Sequence, residues 1–296
     1  MKRTKRFLPP TLLGGLLLGT TLAAGPAAAL RQEAAPAPAE ELPAARTIID
    51  RYLDVSGWRK VAPKYTSQRT TGTIEIVGMG IKGTFTEMSR KPDRNRMSMQ
   101  MDIVGEVQSG FDGKIAWRIH PMLGEAILEG AEREQLVRRS TFPDFTFKDP
   151  KGYEKIETVG KEDFEGQACW AVRFLEIPYA GLDLSPEEAK EIREFTEYYA
   201  VESGLLVGTK TVAASAMGNM PTTTSLSDFQ EHEGLLVPRK TVIDAASQKI
   251  QVVVKTIELD VVEESEFALP PEIEKLRQAE EAAAGGAGEG EGGGGK

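Results

Sequence analysis

Residues 95–102 read NRMSMQMD. Met97, Met99 and Met101 fall on one side of an extended chain, and Arg96, Ser98, Gln100 and Asp102 on the other. A repeat of two is the mark of a strand with one face buried and one wet. The pattern continues in both directions. TGTIEI (71–76) and GIKGTFTEMS (80–89) precede it, and GEVQSGFD (105–112), GKIAWRI (113–119) and GEAILEG (124–130) follow. Gly, Pro, Asp or Asn separates one stretch from the next, as hairpin turns require.

A second run begins after residue 152. It comprises YEKIETVG (153–160), ACWAVRFLEI (168–177), FTEYYAV (195–201), LLVGTKTVA (205–213), TTTSLSDFQ (222–230), LLVPRKTVID (235–244) and IQVVVKTIELDVV (250–262). About a dozen strands result, without the strand–helix alternation of a parallel sheet. One helix precedes them and two interrupt them. Ile48, Ile49, Tyr52 and Leu53 share a helical face, which predicts a helix over 44–55 ended by Gly57. GAEREQLVRR (130–139) is a short polar helix. Residues 185–194 open with Ser185, Pro186 and Glu188, a capping box. The expected fold is mainly β: a strongly curved antiparallel sheet forming an unclosed barrel, with an N-terminal helix and short lid helices on its concave side. A β-sandwich is the alternative.

The flanks have other compositions. Lys2, Arg3, Lys5 and Arg6, then the apolar run Leu12 to Leu22, then Ala27–Ala29 make residues 1–29 a cleavable secretory signal. The apolar run is too short to cross a bilayer, so the chain is not expected to be an integral membrane protein. Residues 30–43 form an Ala/Pro/Glu linker, 44–275 the folded domain, and 276–296 a disordered Gly/Glu-rich tail. The formal charge is −9, and without the four basic residues of the signal it is −13. That acidity argues against nucleic acid as a partner.

Little catalytic chemistry is visible. The two histidines, His120 and His232, sit in turns without spaced partners, so no metal site is expected. Cys169 lies mid-strand beside Trp170 and reads as a buried inert thiol; as the only cysteine it also rules out an internal disulfide. No G-x-S-x-G elbow and no phosphate-binding glycine loop is present. No cofactor and no enzymatic activity are expected. The methionines stand out: eight besides Met1, all within the strand regions, three on one strand face. They read first as core filling. Their flexibility also suits a surface that accepts varied apolar shapes, such as an acyl chain.

SRKPDRNRMSM (89–99), SGFDGKIAWRIHP (109–121) and FALPPEI (267–273), in that order, resemble the periplasmic lipoprotein carriers of the LolA-like, outer-membrane-lipoprotein-sorting type. The resemblance rests on Arg90, Lys91 and Pro92; on Asp112, Gly113, Lys114, Trp117 and Pro121; and on Phe267, Pro270 and Pro271. It implies a periplasmic, non-catalytic carrier with a helical lid over an apolar cavity. The cavity would hold acyl chains of lipoproteins or lipids, received from and passed to partner proteins at the inner and outer membranes. Alternation nominates Ile74, Ile76, Phe85, Met97, Met99, Met101, Trp117, Trp170, Val172 and Phe174 as its lining. The resemblance puts Arg90 and Lys91 at the lid contact. Two rival readings are an exported interaction or scaffold protein with a filled core and an envelope hydrolase.

Overall fold

The computed structural model describes residues 41–140, 152–177, 193–215, 218–245 and 248–287. The expected secretory signal, nearly all of the linker and of the helix at 185–194, and the tail beyond 287 lie outside the described residues. The described chain opens with α1 (Ala45–Val55) and α2 (Trp58–Val61), the latter running into a 3-10 turn at Ala62–Lys64. Six strands follow: β1 (Ser67–Val77), β2 (Ile81–Arg90), β3 (Arg94–Met101), β4 (Gly105–Phe111), β5 (Ala116–His120) and β6 (Gly124–Ile127). Helix α3 (Gly130–Ser140) leads to seven more. These are β7 (Tyr153–Phe164), β8 (Gln167–Glu176), β9 (Arg193–Ala200), β10 (Leu206–Ser215), β11 (Gly218–His232), β12 (Leu235–Ala245) and β13 (Gln248–Leu259). A 3-10 turn at Glu264–Phe267 and α4 (Pro271–Ala287) complete the described chain.

The thirteen strands among the described residues belong to one antiparallel sheet in the order β6-β5-β4-β3-β2-β1-β13-β12-β11-β10-β9-β8-β7. Each half is a meander built from neighbouring hairpins. The two meanders join where the last strand, β13, pairs with the first, β1. The sheet is curved and unclosed, with β6 and β7 as its two edges. A single sheet replaces the β-sandwich alternative.

Helices lie on both faces. On one, Ile48, Ile49 and Leu53 of α1 pack with Val172, Phe174 and Tyr199 of β8 and β9. On the same face Val61 of α2 packs with Leu235 and Val237 of β12, and Leu136 and Val137 of α3 with Phe111 and Ala116 of β4 and β5. Gly57 allows the close approach of α1 and α2 to the sheet. Its φ is +78°, and a Cβ there would stand 1.9 Å from the carbonyl oxygen of Gly234. The neighbouring Ser56 carbonyl accepts the Leu236 N–H at 2.9 Å.

The other face of β1–β6 carries the C-terminal segment. Arg69 pairs with Glu266 at 2.8 Å, Arg94 with Glu264 at 2.8 Å, and α4 packs against β6. This corrects the expected tail boundary at 276, since α4 runs to Ala287. Ala and Glu have high helix propensity, and Arg277 is bracketed by Glu274 and Glu281 three and four residues away. Ile273, fully buried, anchors the first turn.

Candidate functional site

Residues directly opposite one another in an antiparallel ladder project to the same face. Met97, Met99 and Met101 stand opposite Glu87, Phe85 and Gly83. Gly72, Ile74 and Ile76 then stand opposite Phe85, Gly83 and Ile81 on one side and Val254, Val252 and Ile250 on the other. Ile250 faces Ile243 and Val252 faces Thr241 on β12, and Thr241 faces Leu226 on β11. Val107 of β4 extends the row beyond Met99. One apolar band therefore crosses the middle of the sheet from β4 to β11.

Its face is the one that carries α1, α2 and α3. Asn95, on the methionine side of β3, stands opposite Phe111, which packs under α3. At the far side Thr241 follows Leu235 and Val237, which pack under α2, at even spacing along β12. The helices bury the ends of the band and leave its middle half-covered. Ile74, Ile76, Ile81, Met97, Met99, Val107, Leu226, Ile243, Ile250, Val252 and Val254 are all half-buried. Phe85 and Met101 are buried.

The expected lining residues divide three ways. Ile74, Ile76, Phe85, Met97, Met99 and Met101 lie together in the band. Trp170, Val172 and Phe174 share its face but sit on β8, where Trp170 stands opposite Tyr199 and Phe174 opposite Phe195. Val172 and Phe174 are fully buried beneath α1, so they are core. Trp117 is on the opposite face. It stands across from Gly110, which in turn faces Arg96, and the Arg96 guanidinium lies 5.7 Å from the Trp117 ring. Arg96 also donates to the Glu266 carbonyl at 3.2 Å, so Trp117 is buried on the side of the C-terminal segment. A one-residue difference in phase between β4 and β5 is enough to send a side chain to the wrong face. Sequence reading missed the β11–β13 half of the band. Alternation in IQVVVKT carried that signal, but only the β1–β13 pairing places it beside Ile74.

The two expected lid contacts point in different directions. Lys91 Nζ donates to the carbonyl of Ala62, just after α2, at 2.9 Å, so it ties the helical N-terminal segment to the end of β2. Arg90 donates to the Val262 carbonyl at 2.7 Å and pairs with Glu264, on the face of the C-terminal segment. A stronger tether holds α3. Glu134, almost wholly buried, receives Arg138 at 2.6 Å and Arg193 of β9 at 3.1 Å, and Arg138 reaches Glu176 of β8 at 2.8 Å. Burial pushes the Glu176 carboxyl above its usual range, against the pull of Arg138 and Arg193. Helix α3 thus packs its apolar side on β4 and β5 and its charged side on β8 and β9, bridging the two arms of the open sheet.

Among the described residues no group of His, Cys, Asp or Glu is arranged to hold a metal ion. Cys169 is buried, and burial with nearby Asp163 pushes its thiol up to about 11, far from a nucleophile's range. His232 ends β11 opposite Leu235, on the helix-bearing face, and its Nε2 is buried. Glu197 is buried beneath α1 and accepts a hydrogen bond from the Tyr199 hydroxyl. Burial and that carboxylate hold the Tyr199 hydroxyl well above its ordinary value.

The architecture has solved counterparts. A LolA superfamily protein from Nitrosomonas europaea superposes with a TM-score of 0.51, covering 77% of this chain and 99% of its own, at 10% identity. The chain shares the fold of that protein. A DUF1329 family protein from Desulfovibrio piger aligns over 75% of this chain and 97% of its own, with a TM-score of 0.48 and 12% identity. A putative outer membrane lipoprotein-sorting protein domain from Vibrio parahaemolyticus aligns over 74% and 96%, with a TM-score of 0.45 and 9% identity. No protein-family model matches the sequence, and no curated protein matches it. In the LolA-like sheet described here, no helix among the described residues is long and apolar enough to cross a membrane.

Proposed function

We propose that this chain is a non-catalytic periplasmic carrier that holds acyl chains of lipoproteins or lipids on the apolar band. The observation that carries the reading is the band itself. Aliphatic and thioether side chains from seven adjacent strands share one face and stay half-buried between the ends that α1, α2 and α3 cover. A contiguous apolar surface of this kind marks a binding site. The three methionines supply adaptable contact for a flexible ligand. The energetics suffice: at ~0.8 kcal/mol per buried methylene, a chain of about 14 carbons gains roughly 11 kcal/mol before the costs of association. Helix α3 serves as the lid, and partner proteins at the two membranes load and unload the band. The N-terminal sequence supports export to the periplasm.

The test is extraction of the protein purified from periplasm, with mass spectrometry of the organic phase, beside titration with a fluorescent acyl probe. Co-purifying lipid or saturable probe binding is expected. Neither appearing overturns the carrier reading and leaves the filled-core scaffold.

A further inference from the structure

Arg239 lies in the middle of β12, two residues from Val237 and two from Thr241, and so on the helix-bearing face. Val237 is buried against α2, and Thr241 is flanked by Val252 and Leu226 of the band. Arg239 therefore stands on the strand where the covered end of the band meets its half-open middle. Its Nε and Nη1 are shut off from solvent and have no hydrogen-bond partner. The ladder offers an obvious partner that is not used. Asp228 falls between the pairs Ser227–Lys240 and Phe229–Pro238, directly across from Arg239. Its backbone is in the left-handed region, φ +53°, and both its carboxylate oxygens accept from Gln230 Nε2, at 3.1 and 3.2 Å. No carboxylate among the described residues forms an ion pair with Arg239.

An arginine keeps its charge in any protein environment, so this one cannot relieve its burial by losing a proton. A guanidinium with unmet donors beside an apolar surface is costly to the empty protein. Filling those donors with an anionic oxygen recovers the cost on binding, and the planar fork matches a carboxylate or phosphate. We infer that Arg239 is the head-group anchor of the band: it selects amphiphiles whose acyl chain ends in, or is linked to, an anionic carboxylate or phosphate oxygen. The inference rests on the carrier reading and adds the polarity of the ligand and its orientation, head toward β12 and tail toward the methionines of β3.

The experiment compares dodecanoate, dodecyl phosphate and dodecanol as competitors of a neutral fluorescent acyl probe, at pH 8, on the mature chain, on Arg239→Gln and on Arg239→Met. The two anions separate a fatty-acid source from a phospholipid source. The native chain should bind at least one anion ten-fold or more tighter than dodecanol. Both variants should lose that preference while binding dodecanol as before. Their melting temperatures should be unchanged or raised, since an unpaired charge is removed. Equal binding of all three compounds by the native chain, or a preference that survives both substitutions, overturns the anchor and leaves the carrier intact. Failure of every compound, dodecanol and the neutral probe included, overturns the carrier reading and the anchor with it. The native chain's own preference is decisive even if neither variant folds.

Discussion

Met99 is the residue on which the difference between a groove and a core is most directly measured. It is half-buried between Phe85 on β2 and Val107 on β4. Met99→Trp adds bulk there. Over an open band the ring occupies ligand space, so acyl-probe affinity should fall at least ten-fold while urea-unfolding stability changes by less than about 1 kcal/mol. In a filled interior the same ring overpacks the site and costs about 1–3 kcal/mol. Phe174 supplies the contrast. It is wholly buried beneath α1 and stacked on Phe195 with ring centroids 4.9 Å apart. The methionine alternation was legible in NRMSMQMD because one strand's own period reveals it. The placement of Trp117 was not, because its face depends on how β5 is phased against β4.

At the scale of the element, α3 is the part whose role its own sequence concealed. GAEREQLVRR reads as a short polar helix, yet two of its charges, Glu134 and Arg138, are internal in the fold. Arg138, only 15% exposed, sits between Glu134 and Glu176, which are 6% and 20% exposed. Removing one partner of a buried ion pair leaves the others uncompensated. Arg138→Ala should therefore cost about 3 kcal/mol at neutral pH and raise hydrogen exchange in α3 first. Glu176→Gln should cost less, because burial already penalises that carboxylate. The pH dependence has a defined sign. A carboxyl raised in the native state binds its proton more readily there than in the unfolded chain, so acidification toward its native value favours the fold. The deficit of Arg138→Ala, measured by urea unfolding, should accordingly shrink as pH falls from 7 toward 5. A deficit that stays constant over that range would remove the charge explanation.

For the whole molecule the decisive contact is β1 with β13. It makes one sheet of two meanders that could otherwise open independently. Trp117 lies in the β1–β6 half, and Trp170 in the β7–β13 half. Trp117→Phe and Trp170→Phe variants, each reporting by fluorescence mainly from the half that keeps its strand tryptophan, should show urea transitions with the same midpoint, once each is compared with its own circular-dichroism curve. Separate midpoints would mean that the halves unfold as two units. The sequence by itself determined the strand count, the antiparallel class, the helix at 44–55 and the methionine face, because turns and side-chain period are local properties of the chain. It also carried the order of motifs by which the LolA-like fold was recognised. Only the tertiary structure decided that β13 lies beside β1, that Trp117 and the methionines look to opposite faces, and that Arg239 stands unpaired at the end of the band. Each of these depends on pairing between residues far apart in sequence, and no local pattern encodes which distant strand will supply the partner.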